Sequence, residues 1–271
     1  MVKPPLSTIG LVVPDLANPF FPEVVSGVID SAAERGWQVK IVGSGRFPDE
    51  AETVRTFASE VDAMVGYFNH LDRAPGDLEV DILVVLLDAE EPVSTCGAVT
   101  VDVDAGVRAG VHHLLERGHR AIGMIDCSTS CDRYQRRRSF AAVLDERGIA
   151  LAADAIEESE QSIPGAERAT HMLLDRHPEL TALFAFNDLT AVGVVRAVHA
   201  RGLNVPGDCA VLGFDGLALG ELITPTLTTL HVDKRRLGAL AVDEVERLLE
   251  EGRREDRHVE LLPELVIRES T

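Results

Sequence analysis

Residues 9–42 read IGLVVPDLANPFFPEVVSGVIDSAAERGWQVKIV, and the placing of apolar residues in this stretch decides the fold class. It opens with an apolar run, Leu11, Val12 and Val13, which is the pattern of a buried strand. From Phe20 the apolar residues come in pairs every four positions: Phe20 and Phe21, Val24 and Val25, Val28 and Ile29, Ala32 and Ala33. That spacing puts one apolar face on a helix and predicts a helix packed on a sheet. Glu34-Arg35-Gly36 ends it, with a cation near the negative end of the helix and a glycine able to take the left-handed conformation just beyond. A second short apolar strand follows at 39–42.

The same rhythm runs along the chain. Glu116-Arg117-Gly118, Glu146-Arg147-Gly148 and Ala200-Arg201-Gly202 repeat the helix ending. Further strands are expected at 63–67, 82–87, 121–125, 182–186, 210–214 and 227–231, and the terminal PELVIREST reads as one more. Helices alternating with apolar strands predict an α/β fold with parallel sheets. No low-complexity tract or long linker divides the sequence, so two α/β lobes with several crossings fit better than separate beads.

Composition agrees. A chain of 271 residues can bury a sizeable core as one large or two smaller domains, and 45% hydrophobic with 26% charged residues is ordinary for a globular protein. No apolar run approaches the roughly 18 residues of a membrane span. The start, Met1 to Leu6, has no apolar core of a secretion signal, so cytoplasm is the expected compartment. Cys96, Cys127, Cys131 and Cys209 contain no Cys-x-x-Cys pair and are expected as free thiols. A formal charge of −19 would repel a phosphate backbone, so these residues alone are not expected to bind DNA.

Motifs of catalysis are missing: no P-loop lysine, no Gly-x-Gly-x-x-Gly, and at Gly43-Ser44-Gly45 no flanking pattern of a nucleophile elbow. His112 and His113 are adjacent on an expected helix, about 100° apart, so they are not expected to share a metal; one should pack and one face water. No metal and no cofactor is expected. What stands out instead is polar residues where strands end, which is where ligands bind in open α/β sheets. Asp15, Asn18, Phe20 and Phe21 follow the first strand; Asp88 follows 82–87; Asn187 and Asp188 follow ALFAF; Asp215 follows AVLGF. Each polar residue also reads as a helix cap or turn former. Taken together, carboxylates, amides and aromatic faces suit a polyhydroxylated or heterocyclic small molecule. Arg136, in the basic run 133–138, offers a donor fork, although such a run also reads as a solvated helix face.

The stretches IGLVVPDLANPFFPEVVSGV, VTVDVDAGVRAGVHHLLERGHRAIGMI, ALFAFNDLTAVGVVRAVHARGLNVPGDCAVLGFDG, TPTLTTL and LPELVIREST resemble the ligand-binding core of the lac-repressor-type (LacI) family of bacterial transcription regulators. The resemblance covers Ser7 to Thr271. It implies two periplasmic-binding-protein-like lobes, each a mainly parallel sheet flanked by helices, joined by three crossovers near Val101, Leu230 and Glu260. The N-terminal lobe would take residues 7–100 plus 231–259 and the C-terminal lobe 101–230 plus 260–271. It further implies a sugar-like effector in the interlobe cleft and a homodimer. Asn18 would be a polar contact, Phe20 or Phe21 a stacking face, Arg136 the arginine that grips the ligand, and Asn187, Asp188 and Asp215 the polar contacts of the second lobe. Three departures bear on the site: Asp88-Ala89 stands where many members have Asp-Arg, Gln161 where sugar and purine binders often have an aromatic, and His231-Val232-Asp233 where Arg-Gln-Pro is frequent. Members also carry a helix-turn-helix domain upstream, through which alone operator DNA would be engaged, so a truncated regulator, a repressor by preference, is expected. A solute-binding protein of a sugar transporter shares the fold and is the alternative; an enzyme is not expected, since no nucleophile–base pair is visible.

Overall fold

A computed structural model of the chain describes residues 6–43, 50–68, 80, 82–88, 96–127, 133–152, 154–251 and 259–271. The elements run β1 (Thr8–Val13), α1 (Phe20–Glu34), β2 (Gln38–Gly43), α2 (Glu50–Ala58), β3 (Ala63–Gly66), β4 (Leu83–Leu87), β5 (Gly97–Val101) and α3 (Val103–Glu116). There follow β6 (Ile122–Cys127), α4 (Arg133–Glu146), β7 (Ile156–Ser159), α5 (Ile163–Arg176), β8 (Ala182–Ala185), α6 (Asp188–Ala200) and β9 (Ala210–Asp215). A short 3-10 turn (Ala218–Glu221), β10 (Thr228–His231), α7 (Lys234–Glu251), β11 (Val259–Leu261) and β12 (Glu264–Val266) complete the chain.

These elements form two compact units, and the chain passes between them after Val101, after Val232 and after Leu261. In the first unit the sheet order is β11-β5-β4-β3-β1-β2, with every pairing parallel. In the second it is β12-β10-β9-β8-β6-β7, parallel except where β12 runs against β10. Each sheet winds outward in both directions from its first strand, so the strand order reverses between β1 and β3 and again between β6 and β8. At such a switch point the connections leave on opposite faces and open a crevice at the carboxyl ends of the strands.

Local chemistry explains the boundaries. Gly36, Gly118, Gly148 and Gly202 all hold positive φ (72°, 98°, 66° and 76°), as the four repeated endings predict. After α1 the Trp37 N–H reaches back to the Ala32 carbonyl, and Arg35 donates to the Ser31 carbonyl while pairing with Asp243 and Glu246 of α7. The expected cation at the helix end therefore also ties two helices together. Gly27 of α1 and Gly238 of α7 let these helices touch: a Cβ on either would collide with backbone of the other helix. Ser162 and Asn187 cap α5 and α6 by accepting from Gly165 N and Thr190 N.

Alternation along the second sheet sorts its residues to two faces. Ile125, Leu183, Ala185 and Val211 join Ala166, Leu173, Ala191 and Val194 in the core beneath α5 and α6. Phe184 points the other way, stacked on Phe140 of α4 at 5.9 Å. Asp126 and Phe186, in step with Phe184, share that α4 side. Three strands lie outside the sequence expectations: β5, the polar edge strand β7 and the three-residue β11. The terminal stretch is strand only at Glu264–Val266; beyond it Ser270 and Thr271 are buried, and the Ser270 hydroxyl donates to the Val211 carbonyl and accepts from Thr228 N.

Candidate functional site

In the second unit, Arg136 turns inward from the second turn of α4 and is 6% exposed. Its guanidinium lies between the rings of Phe186 and Phe214, 4.1 and 4.3 Å from their centroids. Nη1 donates to the Phe186 carbonyl at 3.1 Å, and Nη2 stands 3.7 Å from the Asp215 carboxylate. Nε has no hydrogen-bond partner. Further along the basic run Arg137 pairs with Glu158 at 3.4 Å and Arg138 is exposed.

Asp215 ends β9 with φ of 101°, a left-handed value that Asp adopts at lower cost than most residues. Gly216 follows at φ 67°, and a Cβ there would collide with the His231 ring. Asp188 holds this turn. Its two oxygens accept from Leu217 N at 2.6 Å and from the Thr229 hydroxyl at 2.5 Å, in full burial. The structure thus gives Asp188, expected as a ligand contact, the work of shaping the loop that presents Asp215. Asn187, 1% exposed, caps α6 with its oxygen and leaves its Nδ2 without a partner. Gln161 is half-buried in the turn between β7 and α5.

One buried acid at this edge was not singled out by the sequence. Asp126 lies at the carboxyl end of β6, 0% exposed, with neither oxygen meeting a hydrogen-bond donor at good geometry. Burial pushes its pKa up to about 6, against the pull of the Cys127 N–H and the charges of Arg137 and Arg136. The strand-tip rule that marked Asp88 and Asp215 would have found it, since GMID is an apolar run ending in a carboxylate.

In the first unit the side chains gather after β1 and β3. Asp15 is exposed and accepts from Ala17 N at 2.9 Å, so it shapes the turn. Asn18 is buried, and its oxygen accepts from Phe20 N at 3.0 Å, starting α1. Phe20 and Phe21 are half-buried and meet edge to face at 82°, and Phe21 meets Tyr67 the same way with centroids 5.1 Å apart. The two phenylalanines therefore form perpendicular walls rather than one flat platform. Asp88 stands half-buried at the end of β4 with φ of 56°, its N–H bonded to the Val99 carbonyl. Ala89, beside it, falls outside the described residues.

Other features are structural. His113 is buried against the Thr271 hydroxyl at 2.8 Å while His112 is half-buried and reaches Arg147. Among the described residues Cys96, Cys127 and Cys209 form no disulfide, and burial pushes Cys209 up to about 12; Cys131 lies outside the described residues. Among the described residues no His, Cys, Asp and Glu group has a metal-holding arrangement, and no helix is long and apolar enough to cross a membrane.

Comparison with known proteins places this geometry. The family described as periplasmic binding protein-like domain matches residues 111–271. The ribose operon repressor of Halalkalibacterium halodurans is 30% identical over 97% of this chain and 79% of its own length. The chain belongs to the LacI family. A LacI-family transcriptional regulator from Arthrobacter sp. FB24, solved in complex with lactose, is 31% identical with a TM-score of 0.86, covering 98% of this chain and 99% of that one. The transcriptional regulator CelR, solved with cellobiose, is 27% identical with a TM-score of 0.88, over 97% and 84%. Like those LacI-family cores, the chain is an effector-binding regulatory domain of the periplasmic-binding-protein-like fold. Its kinship with repressors and regulators removes the transporter alternative.

Proposed function

We propose that this LacI-family domain senses a sugar or sugar derivative, which Arg136, Asn187 and Asp215 hold at the strand tips of the second unit. Gln161 is a further contact proposed for the second unit, and Asp15, Asn18, Phe20, Phe21 and Asp88 are the contacts proposed for the first. The observation that carries this reading is Arg136, clamped between Phe186 and Phe214 beside Asp215, with its Nε and the neighbouring Asn187 Nδ2 both buried without acceptors. Buried donors without acceptors are costly, and ligand hydroxyls would satisfy them. The lactose and cellobiose complexes of two relatives point to the same class.

The domain acts by binding, not catalysis. Its effector biases two conformations by no more than the difference in its affinity for them. We further propose a cytoplasmic homodimer that represses transcription, with operator DNA engaged through a helix-turn-helix domain outside this sequence. The test is a thermal-shift screen of ribose, lactose, cellobiose, polyols and nucleosides, with light scattering on the same sample. A sugar that raises Tm on a protein of twice the monomer mass is expected. Stabilisation by nucleosides alone, or a monomer at every concentration, would refute the respective part.

A further inference from the structure

We propose that Asp126 is a specificity-determining residue of the effector site, a buried carboxylate beside Arg136 that admits neutral or cationic hydroxyl-rich ligands and turns away anionic ones. This rests on the sugar-sensing reading and narrows it to unphosphorylated sugars and amino sugars. Three observations carry it.

The first is position. Asp126 is the penultimate residue of β6 and Asn187 follows β8, and these are the strands between which the order of the second sheet reverses. Ile125 pairs with Ala185, so Asp126 stands next to Phe186 on the α4 side of the sheet, the side from which Arg136 enters between Phe186 and Phe214. Asp126 therefore borders the crevice that the topology opens for a ligand.

The second is the state of Arg136. An arginine that recognises phosphate or carboxylate offers two parallel N–H groups. Here both faces of the guanidinium are covered by phenylalanine rings, Nη1 is engaged by the Phe186 carbonyl and Nη2 faces Asp215. Nε has no hydrogen-bond partner, and at 3.7 Å the contact of Nη2 with Asp215 is an ion pair. The Nε–Nη2 edge that would grip an anion side-on is already faced by the Asp215 carboxylate, so part of the charge of Arg136 is answered before a ligand arrives, and the Nε–H and the Asn187 amide remain to meet hydroxyl oxygens.

The third is charge. Among the described residues Arg136 faces the Asp215 carboxylate, and Asp126 lies within the charges of Arg137 and Arg136 and of Glu158, with Arg137 itself paired to Glu158. Both oxygens of Asp126 lack a donor at good geometry. A sugar hydroxyl or ammonium group supplies a donor there; a phosphate brings a third negative charge into a low-dielectric site, where like charges repel strongly.

Calorimetry on the whole chain tests this with matched ligands: ribose against ribose 5-phosphate, glucose against glucose 6-phosphate and glucosamine, with lactose and cellobiose as further neutral probes. At pH 8 the free or amino sugar that binds should do so at least about tenfold more tightly than its phosphate. Asp126→Asn should shrink that ratio at least about threefold. In the wild type the ratio should also narrow towards pH 5 as Asp126 takes up a proton, the charged groups around it being Arg136 and Arg137 of α4 and Glu158 of β7. A phosphate that binds as tightly as its free sugar, or a ratio unchanged by Asp126→Asn, overturns the inference and leaves sugar sensing standing. Binding of nucleosides and of no sugar overturns both. The wild-type comparison decides the matter even should the variant fail to fold.

Discussion

Replacing Asp126 by Asn should stabilise the protein, and by an amount that depends on pH. The carboxyl moves from the usual 3.8 to about 6 on folding, a shift of about 2 units, or up to about 3 kcal/mol. The sign follows from proton uptake. Between these two pKa values the folded state binds more protons than the unfolded state, so stability falls as pH rises. The penalty is absent well below 3.8 and complete above about 6. Asn has the same shape and no charge, and its amide is much less costly to bury than a carboxylate. The variant should therefore gain about 1–2 kcal/mol at pH 8, and the gap to wild type should widen by about 1 kcal/mol between pH 5 and pH 8. Urea denaturation of both proteins across that range measures it, since every other titrating group cancels in the difference. A gap that does not change with pH, or a variant less stable at pH 8 than at pH 5 relative to wild type, would show that the Asp126 carboxylate is well satisfied in the fold.

Two further substitutions test the supports of the site and the fold. Asp188→Ala should cost about 3 kcal/mol or more, because Leu217 N and the Thr229 hydroxyl lose a buried charged acceptor, whereas Asp188→Asn, which keeps one acceptor, should cost clearly less; chemical denaturation ranks them, and equal costs would refute the assigned role. Gly27→Ala should cost about 1–3 kcal/mol by forcing α1 from α7, since the new Cβ meets the Arg235 carbonyl; a neutral or stabilising result would contradict the close approach.

Much of the frame was legible because burial on both faces leaves unbroken apolar strands. LVV of β1, ALFA of β8 and AVLGF of β9 show this, each strand fully or almost fully buried. Glycines at helix ends were legible for a different reason, as few other residues take positive φ cheaply. β7 was not, because IEES is a half-exposed edge strand without an apolar run, and β11 is too short to show one. At the site, strand-tip position singled out Asn187 and Asp215, and the basic run together with the family resemblance singled out Arg136; the fold brings all three to one edge of one sheet. Division of labour between neighbours was not visible. Asn187 and Asp188 read alike as polar residues after a strand, yet one leaves a donor without an acceptor and the other has both oxygens occupied by a distant turn. That difference depends on Leu217 and Thr229, which lie far along the sequence.

Asp215 carries the central claim, and Asn is the cleanest replacement for it, since Asn tolerates the 101° φ that Ala would strain. Charge-assisted hydrogen bonds from ligand hydroxyls to a carboxylate contribute roughly 1.5–3 kcal/mol. Calorimetric titration of the best sugar from the screen should therefore show Asp215→Asn binding about 10- to 150-fold more weakly than wild type, with an unchanged folded baseline. Equal affinity in the two proteins would place the effector elsewhere and contradict the account.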